Sequence, residues 1–300
     1  MNKKSIGCIS WVLALGFNVI FLSHVTADVT LTDDAGSEVI LKKPAQRIIS
    51  LSPHLTELVF TIGQGDKLIG VMSFSNYPEA AKKIPRIGSY NTISYESIVK
   101  MQPDLILAWA SGNGSETISK LRSLGFKVYV SEPTKLEGVA STIRKFGILL
   151  GAKNRGEHEA DKFMNRLDTL KENYSNKPKV NVFYQLSDNP IMTLSGRHLI
   201  SDVVKLCGGF NIFTEAIPVA LKVSLESLVR SDPQVVIAGA KKKNQEKWLR
   251  SWEDRSSMKA VKNRQIYFID PDLLVRHGPR ILDGAEKMCN FLEKTRNQEN

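Results

Sequence analysis

The sequence predicts an α/β protein of two Rossmann-like lobes joined by a single long helix, with a ligand cleft between the lobes. Three observations carry that prediction. First, residues 93–108 (ISYESIVKMQPDLILA) and 223–238 (VSLESLVRSDPQVVIA) match without a gap at an offset of 130, so two halves of the chain are built alike. Second, short continuous apolar runs alternate with amphipathic segments, the pattern of strands buried on both faces of parallel sheets. Third, residues 136–174 contain no proline, and their second half is rich in Glu, Lys, Asp, Arg and Leu, which reads as one helix followed by a longer charged one.

Each element has a local reason. Residues 29–41 alternate around Asp33-Asp34-Ala35-Gly36, a turn sequence, and read as a small edge hairpin. A strand over 47–51 runs through Ser52-Pro53 into a helix over 56–62; further strands are expected over 68–73 and 127–131. In each repeat a serine, Ser94 or Ser224, is placed to cap a short helix. Glu96 and Glu226 then fall in its first turn, where a carboxylate meets the positive end of the helix dipole, and a proline stops it before a strand. The second half continues with strands over 180–185, 235–238 and 265–269 and helices near 199–206, 225–231 and 279–294. Helices over 136–150 and 155–174 stand between the lobes. The resulting division is a signal segment over 1–27, the hairpin over 28–44, an N-terminal lobe over 45–150, a linking helix over 151–176 and a C-terminal lobe over 177–300. A single stiff helix between lobes implies a cleft of nearly constant width.

The chain has 300 residues, of which 42% are hydrophobic and 24% charged, a composition that excludes disordered and collagen-like classes. Lys3 and Lys4 precede an apolar stretch over 9–22, and Val25-Thr26-Ala27 fits a signal-peptidase site, so cleavage is expected after Ala27 and the mature protein is expected to be exported to an oxidising compartment. The alternative, an uncleaved anchor, has to account for a stretch shorter than the roughly 20 residues of a spanning helix. With residues 1–27 go Lys3 and Lys4 and no acid, so the formal charge of +10 falls to +8. Its densest portion, Lys241-Lys242-Lys243, reads as a surface turn without interleaved aromatics, which argues against nucleic acid. Cys8 also leaves with the signal. Cys207 and Cys289 remain in an oxidising compartment, where pairing is the simplest expectation and two separate buried thiols the alternative.

Ligands of open α/β sheets sit beyond the carboxyl ends of the strands. Those positions carry Ser52-Pro53-His54, Phe74, Tyr77, Tyr90 and the loop Trp109 to Asn113 in the first lobe. In the second they carry Asp188-Asn189-Pro190 and 272–277. Aromatics with few charges suit a large, flat, mainly apolar ligand with polar edges. His54 and His277 are the candidate metal contacts, since His24 is in the signal, His158 in the charged helix and His198 after a Gly-Arg turn; each also reads as a hydrogen-bonding wall residue. No G-x-S-x-G elbow, P-loop, complete dinucleotide fingerprint or H-E-x-x-H motif occurs, so no catalytic residue and no catalytic cofactor are expected. A chelate-modifying enzyme is the reading this argues against.

The runs RIISLSPHLTELVFTIG, SFSNYPEAAKKIPRIGSY, ESIVKMQPDLILAWASGN and VRHGPRILDGAEKMCNFL resemble the periplasmic cobalamin-binding proteins of bacterial ABC importers. These belong to a helix-linked class that captures cobalamin, haem and ferric siderophores. The resemblance covers the chain from about residue 45 onward. It implies a monomer that binds a corrinoid and hands it to a membrane permease, with haem or a ferric siderophore as the alternative ligand. It further implies a disulfide between Cys207 and Cys289, permease docking through Glu96 and Glu226, and ligand contacts from Trp109, Tyr90, Arg276 and Asp272. Pro53, His54, Phe74, Asn189 and His277 complete the expected ligand set. Departures from the family pattern fall at Phe74, where a tyrosine is expected, at Ala220 and Leu273, where tryptophans are expected, and at His54 and His277, which replace small residues.

Overall fold

The computed structural model describes residues 28–89 and 92–299. The expected cleavage site and Cys8 lie outside the described residues, as does Tyr90. Two four-stranded parallel sheets organise the rest. In the first, the order is Leu68–Val71, Ile48–Ser50, Leu105–Trp109, Val128–Ser131; in the second, Gly209–Asn211, Val180–Gln185, Val235–Gly239, Ile266–Ile269. By chain order within each sheet both read 2-1-3-4. The central strands are apolar throughout because helices cover both faces: Leu105 to Ala108 and Val235 to Gly239 are all buried.

The sequence repeat is a structural repeat down to its caps. Ser94 Oγ accepts from the Ser97 N–H at 3.2 Å and Ser224 Oγ from the Ser227 N–H at 3.1 Å. Helices Tyr95–Met101 and Leu225–Ser231 bury Ile98 and Leu228 and end on residues in the left-handed region, Gln102 and Asp232, again 130 apart. That ending turns each chain through its proline into the third strand of its sheet.

The hairpin Val29–Thr32 and Glu38–Leu41 closes a sheet edge. Asp33 organises its turn by accepting from the N–H groups of Ala35 and Ser37, while its other oxygen takes the Val130 N–H and Arg122. Asp34 binds backbone on the same edge strand and beyond it, at Val130 and Glu132.

Helix Lys153–Tyr174 joins the lobes; at 1.5 Å per residue it is about 33 Å long. Gly156, Ala160, Phe163, Leu167 and Leu170 form its buried stripe, at spacings of four and three. It packs on Leu136–Leu149 so closely at Gly147 and Gly156 that a Cβ on either would lie 2.9 Å from the Cα of the other. Arg166 leaves its far side to bind Asp283 and Glu286 on the C-terminal helix Ile281–Glu299. One apolar cluster therefore runs from Val39 through the linking helix to Leu292.

Cys207 and Cys289 form a disulfide, buried at the end of Leu199–Leu206 and within Ile281–Glu299. In the chain-entropy account, closing a loop of 82 residues contributes about 4–5 kcal/mol.

Two expected loops are helices. Ala110 to Asn113 open the helix Ala110–Ser123 directly after the strand. Asn113 makes this possible by accepting the Trp109 N–H at 2.7 Å and donating to the Leu51 carbonyl at 2.9 Å, and Glu132 accepts from the Ser111 N–H. The Ser-Gly-Asn-Gly composition hides these side-chain bonds. Lys241-Lys242-Lys243 is likewise no turn: Lys242 begins the helix Lys242–Glu253, and Lys241 pairs with Asp270 and Asp272.

Candidate functional site

A 2-1-3-4 order reverses direction between strands 1 and 3, and loops leaving the sheet at that point diverge to leave a crevice at the carboxyl ends. In the first lobe the switch point lies between Ile48–Ser50 and Leu105–Trp109. His54 and Trp109 leave from there. Ser52 and Pro53 start the helix Pro53–Thr61, proline being suited to a first helical position that needs no N–H. This puts His54 in the first turn, its Nδ1 2.6 Å from Ser52 Oγ. Trp109 is the last residue of its strand. Its indole lies over Gly112, where a Cβ would come within 1.9 Å of the ring.

The second lobe brings His277, from the connection between Pro271–Leu274 and Ile281–Glu299, and His198, which caps helix Leu199–Leu206 by accepting the Ile200 N–H through Nδ1 at 3.1 Å. The four rings meet. His54 lies 5.2 Å from Trp109 and 5.4 Å from His277; His277 lies 5.4 Å from Trp109 and 5.2 Å from His198. His198, expected at the surface after its Gly-Arg turn, belongs to this cluster instead, because capping the helix turns its ring inward. His158 is exposed on the linking helix.

Beside the rings, one buried carboxylate braces the lobes. Glu57 of the first lobe receives Arg276 Nη1 at 2.7 Å and Arg280 through Nε at 2.9 Å and Nη2 at 2.7 Å. Arg276 also donates to the Phe74 carbonyl and Asn76 and pairs with Asp272 at 2.9 Å. Arg280 stacks 3.8 Å over the Tyr77 ring. Three acids, Glu57, Asp270 and Asp272, thus face three bases, Lys241, Arg276 and Arg280, so the network is formally neutral. Arg276, read from sequence as a ligand contact, is 7% exposed and spans to the opposite lobe. Glu57 escaped the sequence reading: an isolated glutamate in an apolar helix signals a burial partner, but both of its partners lie more than 200 residues away.

The remaining candidates lie outward. Phe74 is 74% exposed, with φ of 66°, and Asn189 is exposed; Pro53 is half-buried. Glu96 and Glu226 are exposed on their short helices, Glu226 paired with Arg230 at 2.8 Å.

Burial lowers the pKa of His54 to about 3, with Arg276 adding to the effect, and that of His198 to about 4. Burial and the neighbouring His54 and His198 hold His277 well below the ordinary value. The cluster is therefore neutral near pH 7. Since the unfolded imidazoles titrate near 6.5, protons bind the unfolded chain first, so stability is complete above that pH and falls below it until the folded values are reached. Each imidazole adds a slope of at most about 1.4 kcal/mol per pH unit. Urea midpoints taken between pH 7 and pH 5, above most carboxylate titration, are expected to drop steeply, and to drop less in a variant carrying His54→Gln and His277→Gln. Equal slopes in the two proteins would contradict this account.

Two lobes of equal topology, a helical link and a ring-lined seam at the first lobe's switch point define a two-lobed binding protein. The chain matches the periplasmic binding protein family over residues 48–273, and it belongs to that family. It is 38% identical over 256 residues to a vitamin B12-binding protein of Vibrio cholerae, covering 85% of this chain and 92% of that one. A vitamin B12-binding protein of Yersinia pestis is 34% identical over 245 residues, covering 82% and 85%. Among solved structures, the periplasmic vitamin B12 binding protein of Vibrio cholerae superposes with a TM-score of 0.79 at 36% identity, covering 84% of this chain and 98% of that one. The periplasmic haem-binding protein of Roseiflexus sp. RS-1 superposes at 0.73 with 23% identity, covering 84% and 99%, a likeness of fold.

Proposed function

We propose that this chain captures a corrinoid, cobalamin, in the periplasm and delivers it to the permease of an ABC importer, without catalysing a reaction. The observation that carries this reading is the 38% identity to a vitamin B12-binding protein along almost the whole of both chains. The seam supports it independently. A macrocycle with apolar faces and an amide-bearing edge needs flat side chains to enclose it and a few fixed polar groups to read the edge. Trp109, His54 and His277 supply rings, while Pro53, Phe74 and Asn189 supply the outer wall, with Tyr90 from the segment ahead of the docking helix. Arg276 and Asp272 act behind that wall by holding the lobes in register.

Residues 1–27 serve as the export signal in this reading, and the protein works as a monomer. Glu96 and Glu226, one per lobe, dock on basic groups of the permease. Haem is the competing cargo, favoured by the imidazoles of His54 and His277. Titration of the mature protein with cyanocobalamin decides between them: one-to-one binding at micromolar or lower ligand is expected, and tight haemin uptake without any cyanocobalamin binding would overturn the assignment.

A further inference from the structure

His54 Nε2, Trp109 Nε1 and both ring nitrogens of His277 are buried without a hydrogen-bond partner among the described residues. Buried polar atoms are nearly always paired, so four in one cluster, two from each lobe, point to a ligand that supplies the partners. The rings of the two lobes touch across the seam, and no hydrogen bond joins His54 or Trp109 to His198 or His277 among the described residues. Parting these rings around a flat ligand breaks no hydrogen bond between them, while the Glu57 brace holds the lobes beside them.

The three imidazoles are not equivalent. His198 Nδ1 accepts from the Ile200 N–H, so in the neutral ring Nε2 carries the proton and has no lone pair to give. His54 is held at Nδ1 by Ser52 and built into the first turn of a helix. His277 is held at neither nitrogen and sits in an irregular connection next to Gly278, where a Cβ would meet nothing closer than 3.7 Å. Among the three imidazoles it is the one whose orientation no hydrogen bond fixes among the described residues. Burial keeps it neutral, which leaves a lone pair available.

We propose that His277 binds the metal of the corrinoid directly, its imidazole replacing an exchangeable axial ligand such as water on cobalt. This rests on the corrinoid reading above and deepens it. In the step, a ring-nitrogen lone pair forms the cobalt–nitrogen bond as the cobalt–oxygen bond to water breaks. Water leaves, the oxidation state of cobalt is unchanged and the imidazole keeps its other N–H proton. Among the described residues no three His, Cys, Asp or Glu side chains converge to cage a metal ion. A single donor is nevertheless sufficient for a metal that brings its own equatorial ring nitrogens, and imidazole is a common ligand of first-row transition metals. Trp109 Nε1 and His198 Nε2 remain as donors toward carbonyl groups of the ligand edge.

Absorption spectroscopy of the mature protein with two probes tests the step. Aquocobalamin has an exchangeable water and is expected to shift to the spectrum of a nitrogen-ligated corrinoid on binding; cyanocobalamin, whose cyanide does not exchange readily, is expected to bind with its bands unmoved. The aquocobalamin shift is lost in His277→Ala and in His277→Gln, each confirmed as folded by its melting transition, and persists in His158→Gln, whose imidazole is exposed on the linking helix away from the seam. A wild-type protein that binds cyanocobalamin but leaves aquocobalamin unshifted overturns the axial step alone. So does a shift that survives both His277 variants. A protein that binds neither probe overturns the corrinoid reading and this inference with it.

Discussion

Glu57→Gln is expected to destabilise the protein by about 3–5 kcal/mol, the range for removing one member of a buried ion pair. The argument is one of stranded charge. Glu57 is 2% exposed and takes two guanidiniums, on Arg276 and Arg280, through both oxygens. Glutamine keeps the shape and much of the hydrogen bonding but leaves the network with one uncompensated positive charge, Arg276 retaining Asp272 and Arg280 losing its carboxylate. The matched control is Arg166→Gln, which also breaks two ion pairs, to Asp283 and Glu286. Those partners are more than 40% exposed, so the expected loss is no more than about 1 kcal/mol. Urea unfolding of the two variants side by side measures the difference; equal losses would show that Glu57 braces nothing. Because Glu57 and its arginines belong to opposite lobes, the same variant is expected to exchange amide hydrogens faster at Arg276 to Arg280, even where the global fold persists.

The second large effect is on transport. Reversing Glu96 and Glu226 together to lysine is expected to reduce corrinoid uptake by cells to background and to leave the affinity of the purified protein within about twofold. Both side chains are exposed, on helices whose buried faces rest on Ile98 and Leu228. Among the described residues Glu226 is bonded to Arg230 one turn on, an exposed pair of at most a few tenths of a kcal/mol, so reversal leaves the fold intact. Single reversals should give intermediate uptake, because in the proposed docking the other lobe keeps its glutamate. An equal fall in solution affinity would assign these glutamates to the pocket or the fold.

What the sequence disclosed depended on how local the signal was. The repeat was legible because caps, first-turn acids and helix-stopping prolines act within a dozen residues, and those same groups set Ser94, Ser224, Gln102 and Asp232 in matching positions. Buried parallel strands were legible from apolar runs, and the linking helix from its proline-free, charged composition. The disulfide was accessible from compartment and count. By contrast, Ala110 to Asn113 looked like a loop because Asn113 bonds the Leu51 carbonyl 62 residues away. His198 looked like a surface residue because the pull on its ring is a cap on the other side of a turn. The brace was invisible for the same reason on a larger scale: Glu57 and Arg280 are 223 residues apart, and no periodicity pairs them. Arg276 stands out in the sequence by its place in a strand-end loop, but its bonds to Glu57, the Phe74 carbonyl and Asn76 span 200 residues or more.

The central claim is that the seam between the lobes holds a corrinoid. Its most direct test is the absorption spectrum of the protein purified from the periplasm of cells supplied with both cobalamin and haem. Corrinoid bands in stoichiometric amount, without a Soret band, are the predicted result. A Soret band without corrinoid absorption would contradict it.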